Sequence, residues 1–174
     1  AGGAGGAFPY LRACLWEAMR LYPPAPIVVR EAGSDLVLHG SSGRTHAVKK
    51  GWWVAVPVYA MQRDPDLWVD PTAFVPERWV PGTPEADAVP AHAWMAFGGG
   101  PRVCVGWRLA VTEAVTALAH VFRGVELVLE PGQDPLPLRA TITMSPKNGV
   151  KVKAVARKVV GSGAGVGVVR IAEE

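Results

Sequence analysis

Along the chain the spacing of apolar positions changes several times, and each change predicts a different element. Phe8 to Tyr22 follows helical spacing, with Leu11, Leu15, Ala18 and Tyr22 on one stripe. Pro9 suits the first helical position, and Pro23-Pro24 ends the helix sharply. From Ala25 to Leu38 the residues become β-branched, predicting strands at Ile27-Val28-Val29 and Leu36-Val37-Leu38. His39 to Thr45 reads as a polar turn and Lys50-Gly51 as a second one. The apolar run Trp52–Val58 that follows is expected to be a buried strand.

From Met61 to Trp79 the pairs Asp64-Pro65, Asp70-Pro71 and Val75-Pro76 deny the chain any long regular element. Trp68, Phe74 and Trp79 supply apolar anchors, so the segment is expected to be irregular but packed. Pro81 to Pro90 predicts a surface loop. The clearest helix runs from about Val105 to Phe122, with Val111, Val115, Leu118 and Phe122 on one stripe. Arg108, Thr112, Thr116 and Arg123 lie on another face, and Gly124 is a natural stop. Strands are expected at Val125–Leu129, Thr141–Met144 and Val150–Val155. No internal repeat is present.

The 174 residues are 49% apolar, enough for a folded domain with a real core and too many for a disordered chain. The net charge of +3 is mild. Its one basic cluster, Lys147, Lys151, Lys153, Arg157 and Lys158, reads as a solvated face, and no nucleic-acid partner is expected. Two cysteines, Cys14 and Cys104, are too few for a disulfide scaffold and suit a reducing compartment. No stretch has the ~20 apolar residues of a membrane span, and the N-terminus lacks a signal-peptide charge pattern. Residues 1–7, alanine and glycine only, are expected to be a linker or a truncation edge. Residues 158–174, rich in Gly and Val, are expected to be a flexible tail.

The chemistry concentrates in Phe97-Gly98-Gly99-Gly100-Pro101-Arg102-Val103-Cys104-Val105-Gly106, just before the clearest helix. A helix N-terminus offers free N–H groups and a positive partial charge, both of which favour a thiolate. Arg102 adds a cation two residues away, and the glycines let backbone and a flat ligand approach closely. Together these features predict a buried, ionised sulfur facing something large and planar. A phosphate loop would want Lys-Ser/Thr after its last glycine. A zinc site would want more ligands at short spacing, and His92 and His120 are distant in sequence. An inert buried cysteine leaves the rest of the pattern unexplained.

Phe97, Gly100, Arg102, Cys104 and Gly106 match, position for position, the haem-binding signature of the cytochrome P-450 superfamily, which the chain resembles. Glu17-Ala18-Met19-Arg20, followed by Leu21-Tyr22-Pro23-Pro24, is similar to that family's Glu-x-x-Arg helix. Pro76-Glu77-Arg78-Trp79 resembles its Pro-Glu-Arg-Phe-type segment, and the three motifs come in the family's order. The likeness covers about Phe8 to Lys153, so residues 8–157 are expected to form the C-terminal, haem-binding part of that domain. The implied fold is mainly α with small β-sheets, an α+β arrangement.

The resemblance also implies roles for individual residues. Cys104 would be the axial ligand of the iron of haem b, and Phe97 would pack beside the sulfur and tune the iron potential. Arg102 and Arg30 would contact the haem propionates, where charge-assisted hydrogen bonds suit a buried carboxylate. Gly106 would keep the loop slim at the cofactor. Glu17 and Arg20, three apart on one helical face, can pair, and the resemblance adds Arg78 to make a buried triad. No catalytic residue beyond the haem ligand is identifiable.

The implied activity is a haem-thiolate monooxygenase that inserts one oxygen atom from O2 into a lipophilic substrate, with an NADPH-dependent reductase as electron donor. Substrate selection would fall partly to Ala25–Val29 and Thr141–Met144. Val48-Lys49-Lys50-Gly51-Trp52, Tyr59-Ala60-Met61 and Lys147-Asn148-Gly149-Val150 are similar to the plant and algal branch containing fatty-acid ω-hydroxylases. The parent protein is expected at the cytosolic face of the endoplasmic reticulum membrane, held there by an N-terminal region outside this chain. The central helix of the family, with its acid/alcohol pair, also lies outside it, so the fragment alone is expected to be incomplete. Trp107 and the tail after Arg157 depart from the family pattern. Two other readings stay open: a haem-thiolate hydroperoxide isomerase or dehydratase, and a non-catalytic truncated fragment.

Overall fold

Pro9 opens the first helix of the computed structural model, which describes residues 7–40, 42–133 and 135–157. The expected tail at 158–174, and all of the N-terminal linker except Ala7, lie outside the described residues. Helix α1 (Pro9–Leu21) has Pro at its first turn and ends where the Tyr22 N–H bonds the Ala18 carbonyl at 2.7 Å, just before the two prolines. Its buried positions are Ala13, Trp16, Glu17, Arg20 and Leu21. The stripe Leu11, Leu15, Ala18 and Tyr22 is only half-buried or exposed, which corrects the expected core face. Glu17 and Arg20 can turn inward because each neutralises the other, and an apolar-stripe reading counts every charge as unpaired.

Strands β1 (Val28–Glu31), β2 (Leu36–His39), β3 (Thr45–Val48) and β4 (Trp53–Val56) form two antiparallel ribbons. β1 pairs with β4, Val29 opposite Ala55, and β2 pairs with β3, Leu38 opposite His46. The expected buried strand over Trp52–Val58 is shorter and more open, with Trp53 78% exposed. A two-stranded ribbon covers one face at most, so alternate residues face outward. Val58, fully buried, instead begins the single turn α2 (Val58–Met61). The polar turn before β3 closes earlier than expected, the Gly40 N–H meeting the Arg44 carbonyl at 2.8 Å. Thr45 is therefore already strand.

The proline-punctuated segment winds irregularly to a 3-10 turn at Pro76–Trp79. Trp68 is buried in it, whereas Phe74 is exposed and anchors nothing. Within the loop expected at Pro81–Pro90, one helical turn, α3 (Pro84–Asp87), forms because the Thr83 hydroxyl caps the Ala86 N–H at 3.2 Å. The long helix α4 (Trp107–Gly124) starts two residues later than the pattern suggests and buries Val111 and Val115. It runs straight into β5 (Val125–Leu129), which pairs with β8 (Val152–Ala156). The strand expected at Thr141–Met144 is instead mostly a turn. Thr141 N–H meets the Thr143 carbonyl at 3.0 Å, joining β6 (Leu138–Ala140) to β7 (Met144–Pro146). The arrangement is α+β, with α1 packed against both α4 and the Pro76–Trp79 turn.

Val111 and Val105 lie on opposite sides of this packing. Val111→Ala is expected to cost about 2 kcal/mol, read as a lower urea midpoint at unchanged slope. Val105→Ala, at a fully exposed position, is expected to stay within about 0.5 kcal/mol of the parent chain.

Candidate functional site

Glu17 sits with no exposed surface at the centre of a charged cluster. The Arg20 guanidinium clamps it with two parallel hydrogen bonds, Nε to Oε2 at 2.9 Å and Nη2 to Oε1 at 2.8 Å. Arg78, carried on the 3-10 turn, adds Nε to Oε1 at 3.3 Å. The Trp79 indole N–H donates to Oε2 at 2.9 Å and the Val75 N–H to Oε1 at 3.0 Å. Arg20 also donates to the carbonyls of Gln62 and Pro71, both at 2.7 Å, and of Ala73 at 2.9 Å. Arg78 reaches the carbonyls of Val69 and Asp70. Among the described residues no buried side-chain polar atom lacks a partner. The carboxylate with its two arginines thus ties α1 to the irregular segment along most of its length.

Burial pushes the Glu17 carboxyl upward, but hydrogen bonds from Arg20, Val75 and Trp79, with the Arg20 charge, outweigh it and hold the pKa below its ordinary value. Glu17, Arg20 and Arg78 are therefore brought together. Trp79 and Gln62 belong to the same cluster; the sequence marks Trp79 as an apolar anchor but not as a partner of Glu17, and Gln62 not at all. An indole adjacent to Arg78 was the one available signal for the first; Gln62 carried none.

The second part of the site is the loop from Ala93 to Gly106. Ala93 and Ala96 are buried, and the Trp94 indole donates to the Trp16 carbonyl at 3.3 Å. Phe97 is half-buried, its ring meeting Trp94 edge-on at 6.0 Å between centroids. Gly98 and Gly100 adopt positive φ, 73° and 65°, which only glycine takes without strain. The Cys104 N–H closes the loop on the Phe97 carbonyl at 2.9 Å.

Cys104 is exposed, not buried as the sequence pattern suggested. It also precedes the N-cap of α4, Gly106, by two residues, so it stands just before the helix mouth. Around it Val105 is fully exposed, Leu109 is 72% exposed and Val103 is also open. A side chain built at Gly106 would meet nothing within 4 Å. Arg102 is exposed in the turn Gly100–Arg102. Arg30 is exposed on β1, its Nη1 donating to the Val29 carbonyl at 2.9 Å. Among the described residues the ion pairs are those of Glu17 and one between Lys49 and Asp35, so neither arginine meets a carboxylate there. A cavity of about 770 Å³ lies beside the loop, lined by Trp16, Trp79, Trp94, Phe97 and Trp107. Cys104 is not among its lining residues, and the thiol opens elsewhere.

An accessible thiol bordered by exposed apolar side chains, with a guanidinium two residues away, suits a flat apolar ring that carries carboxylates at its edge. Among the described residues no three His, Cys, Asp or Glu side chains gather to hold a metal ion. Iron held at Cys104 would then draw its other ligands from its own cofactor, as a porphyrin provides them.

The family model described as Cytochrome P450 matches residues 6–154. The chain belongs to the cytochrome P450 family. Haem b is the cofactor this family implies, and the donor set around Cys104 fits it. Cytochrome P450 4A14 of Rattus norvegicus is 34% identical over 145 residues, covering 83% of this chain and 27% of that protein. Cytochrome P450 4A11 of Homo sapiens is 34% identical over 145 residues, with 83% and 26% covered. Taurochenodeoxycholic 6 alpha-hydroxylase of Sus scrofa is 34% identical over 142 residues, with 82% and 26% covered. Among solved structures, the cytochrome P450DA heme domain superposes with a TM-score of 0.74 at 26% identity, over 85% of this chain and 31% of that one. A cytochrome P450 designated CYP102L1 superposes with a TM-score of 0.74 at 33% identity, over 87% of this chain and 32% of that one. The chain thus spans about a quarter of the length of the curated relatives it matches.

Replacing Glu17 tests what the P450 framework rests on. Glu17→Ala leaves two buried guanidinium groups uncompensated and is expected to cost about 3–5 kcal/mol, measured by urea denaturation. Because the folded pKa lies below the ordinary value near 4.5, Glu17 stabilises the fold above that value. That contribution is lost as pH falls through it toward the folded pKa, since the unfolded chain takes up the proton first. Glu17→Gln is expected to remove this part of the acid dependence.

Proposed function

We propose that this chain is the haem-binding part, residues 8–157, of a haem-thiolate monooxygenase, with Cys104 as the axial ligand of haem b. The observation that carries the reading is the open thiol of Cys104 on a loop closed by the Phe97 carbonyl, in apolar surroundings and within two residues of Arg102. Haem, when bound there, would supply the activation of O2 that puts one oxygen atom into a substrate C–H bond. The chain's own residues would do the holding. Cys104 would bind as the thiolate, with Phe97 packed beside the sulfur. Arg102 and Arg30 would donate to the propionates, and Gly106 would let the ring lie close. The Glu17, Arg20 and Arg78 cluster would keep the loop's foundation fixed.

A lipophilic substrate, a fatty acid in the narrower form of the proposal, fits the two stretches assigned to its selection. The Met144 N–H bonds the Pro24 carbonyl at 2.8 Å, which draws the turn Thr141–Thr143 toward the stretch beginning at Ala25. Both stretches present apolar side chains outward, Ile27 on one and Ile142, 94% exposed, on the other. One relative is named a taurochenodeoxycholic 6 alpha-hydroxylase. The placement in the plant and algal ω-hydroxylase branch rests on the short likenesses at Val48–Trp52, Tyr59–Met61 and Lys147–Val150. No helix among the described residues is long and apolar enough to cross a membrane. The proposed site at the cytosolic face of the endoplasmic reticulum, with an NADPH-dependent reductase as electron donor, therefore concerns the parent protein.

The chain reconstituted with haemin, reduced and exposed to CO, is expected to show the Soret band near ~450 nm of a thiolate-bound haem. Cys104→Ser is expected to abolish that band. Arg102→Ala is expected to keep it while weakening haem affinity about tenfold in a titration. Haem bound by the unaltered chain without the ~450 nm band would overturn the assignment of Cys104.

A further inference from the structure

Gln62 has no exposed surface, yet its position in the sequence belongs to none of the motifs. It follows α2 and uses every polar atom it has. Its side-chain Nε2 donates to the Arg20 carbonyl at 2.9 Å and the Met19 carbonyl at 3.2 Å, both in the last turn of α1. Its side-chain Oε1 accepts the Met95 N–H at 2.7 Å. Its backbone carbonyl accepts from Arg20 Nη1 at 2.7 Å, and its own N–H bonds Val58 at 2.9 Å. A single amide therefore spans from the helix that carries Glu17 and Arg20 to the loop that carries Cys104.

From Met95 the connection continues through the backbone. The Gly98 N–H bonds the Met95 carbonyl at 2.8 Å, and the Cys104 N–H bonds the Phe97 carbonyl at 2.9 Å. Met95 is the first residue of this run, and Gln62 holds it from outside the loop. The carbonyls of Met19 and Arg20 lie in the last turn of α1, where no further helical N–H follows to satisfy them. The Gln62 amide nitrogen fills that need, while its oxygen fixes the loop's first N–H. An amide is the side chain that can donate at one end and accept at the other.

We propose that Gln62 is a positioning residue: its amide sets where the Met95–Cys104 loop stands relative to α1, and through that loop where the Cys104 sulfur stands. It touches no cofactor, and it acts through Met95 and Phe97. The consequence for haem rests on Cys104 being the ligand; the placement of the loop does not.

Three variants of the full chain test this, with amide hydrogen exchange at Met95 and Cys104 as the first readout, each rate corrected for global stability measured in urea. Gln62→Met keeps the volume and removes both contacts. Its Met95 and Cys104 amides are expected to exchange about tenfold faster or more after correction. Gln62→Glu keeps an oxygen for the Met95 N–H, and Met95 protection is expected to return to within about threefold of the unaltered chain. Trp68→Phe, which loses a 3.2 Å hydrogen bond to the Met61 carbonyl in the same segment, controls for general loosening and is expected to leave both corrected rates unchanged. The second readout is the reduced CO spectrum of haem-loaded Gln62→Met, expected to move intensity from the ~450 nm band to the shorter-wavelength band of a haem without thiolate. Unchanged exchange at Met95 in Gln62→Met overturns the proposal, as does Gln62→Glu exchanging as fast as Gln62→Met. If Gln62→Met does not fold, the comparison of Gln62→Glu with Trp68→Phe decides: corrected exchange at Met95 more than about threefold faster in Gln62→Glu than in Trp68→Phe overturns it. A missing ~450 nm band in the unaltered chain would sink the haem assignment and leave the exchange result standing.

Discussion

The rest of the structure depends on one carboxylate, Glu17, held without solvent between two guanidinium groups. Taking an ion out of water costs several kcal/mol, and the Coulombic return offsets that only when the remaining lone pairs are also bonded. Here they are. Arg20 and Arg78 supply the opposite charge, Trp79 and Val75 supply neutral donors, and both arginines spend their leftover N–H groups on backbone carbonyls between Gln62 and Ala73. Those carbonyls belong to a segment with no ladder of its own to bond into. The cluster thus gives the irregular stretch the hydrogen bonds that helices and strands obtain from themselves.

The loop that carries Cys104 inherits its order from that cluster. Trp94 donates to the carbonyl of Trp16, the residue before Glu17, and Gln62 ties the last turn of α1 to Met95. The tryptophans 16, 79 and 94 pack with ring centroids between 4.0 and 6.0 Å apart, so apolar contact and hydrogen bonding fix the same register. Beyond Phe97 the side-chain support ends. Gly98, Gly100 and the 3-10 turn shape the loop by backbone conformation alone and deliver Cys104 to the surface.

What could be read in the sequence follows from how local each cause is. The two long helices, the proline-broken segment and the strands β1, β2, β4, β5 and β8 were legible, because period, prolines and β-branched runs act over a few residues; β3, β6, β7 and every pairing were not. Glu17 with Arg20 was legible as a pair at helical spacing; Arg78 joined them only through the family resemblance. Gln62 was not legible, and Trp79 was legible as an apolar anchor beside Arg78 but not as a donor to Glu17, since their partners lie 33 to 62 residues away. The buried face of α1 was misjudged for the same reason: a stripe of leucines outweighs two charges unless the partners of those charges are known. Burial of β4 failed on geometry, because a run of apolar residues says nothing of how many layers will cover it. Cys104 was expected inside, although its small and apolar neighbours are equally compatible with an open face.

Beside an ordinary apolar core, part of the structure inverts the usual partition. Glu17, Arg20, Gln62 and Arg78 are inside, while Val105, Leu109, Ile142 and Trp53 face outward. Each half of that inversion has its own physical reason. Polar groups placed inside and fully bonded fix direction as well as proximity, which apolar packing does poorly. Apolar groups placed outside are costly unless something apolar covers them, and single exposed residues are ordinary while groups of them are not. Val103 and Val105 flank Cys104 in the chain and Leu109 follows in the first turn of α4, while Ile27 and Ile142 belong to stretches joined through Met144 and Pro24. The directional network therefore holds the near end of the loop, at Met95, and exposed apolar residues flank Cys104 at its far end. A site of the kind proposed, holding a flat cofactor and facing a lipophilic molecule, would require that division.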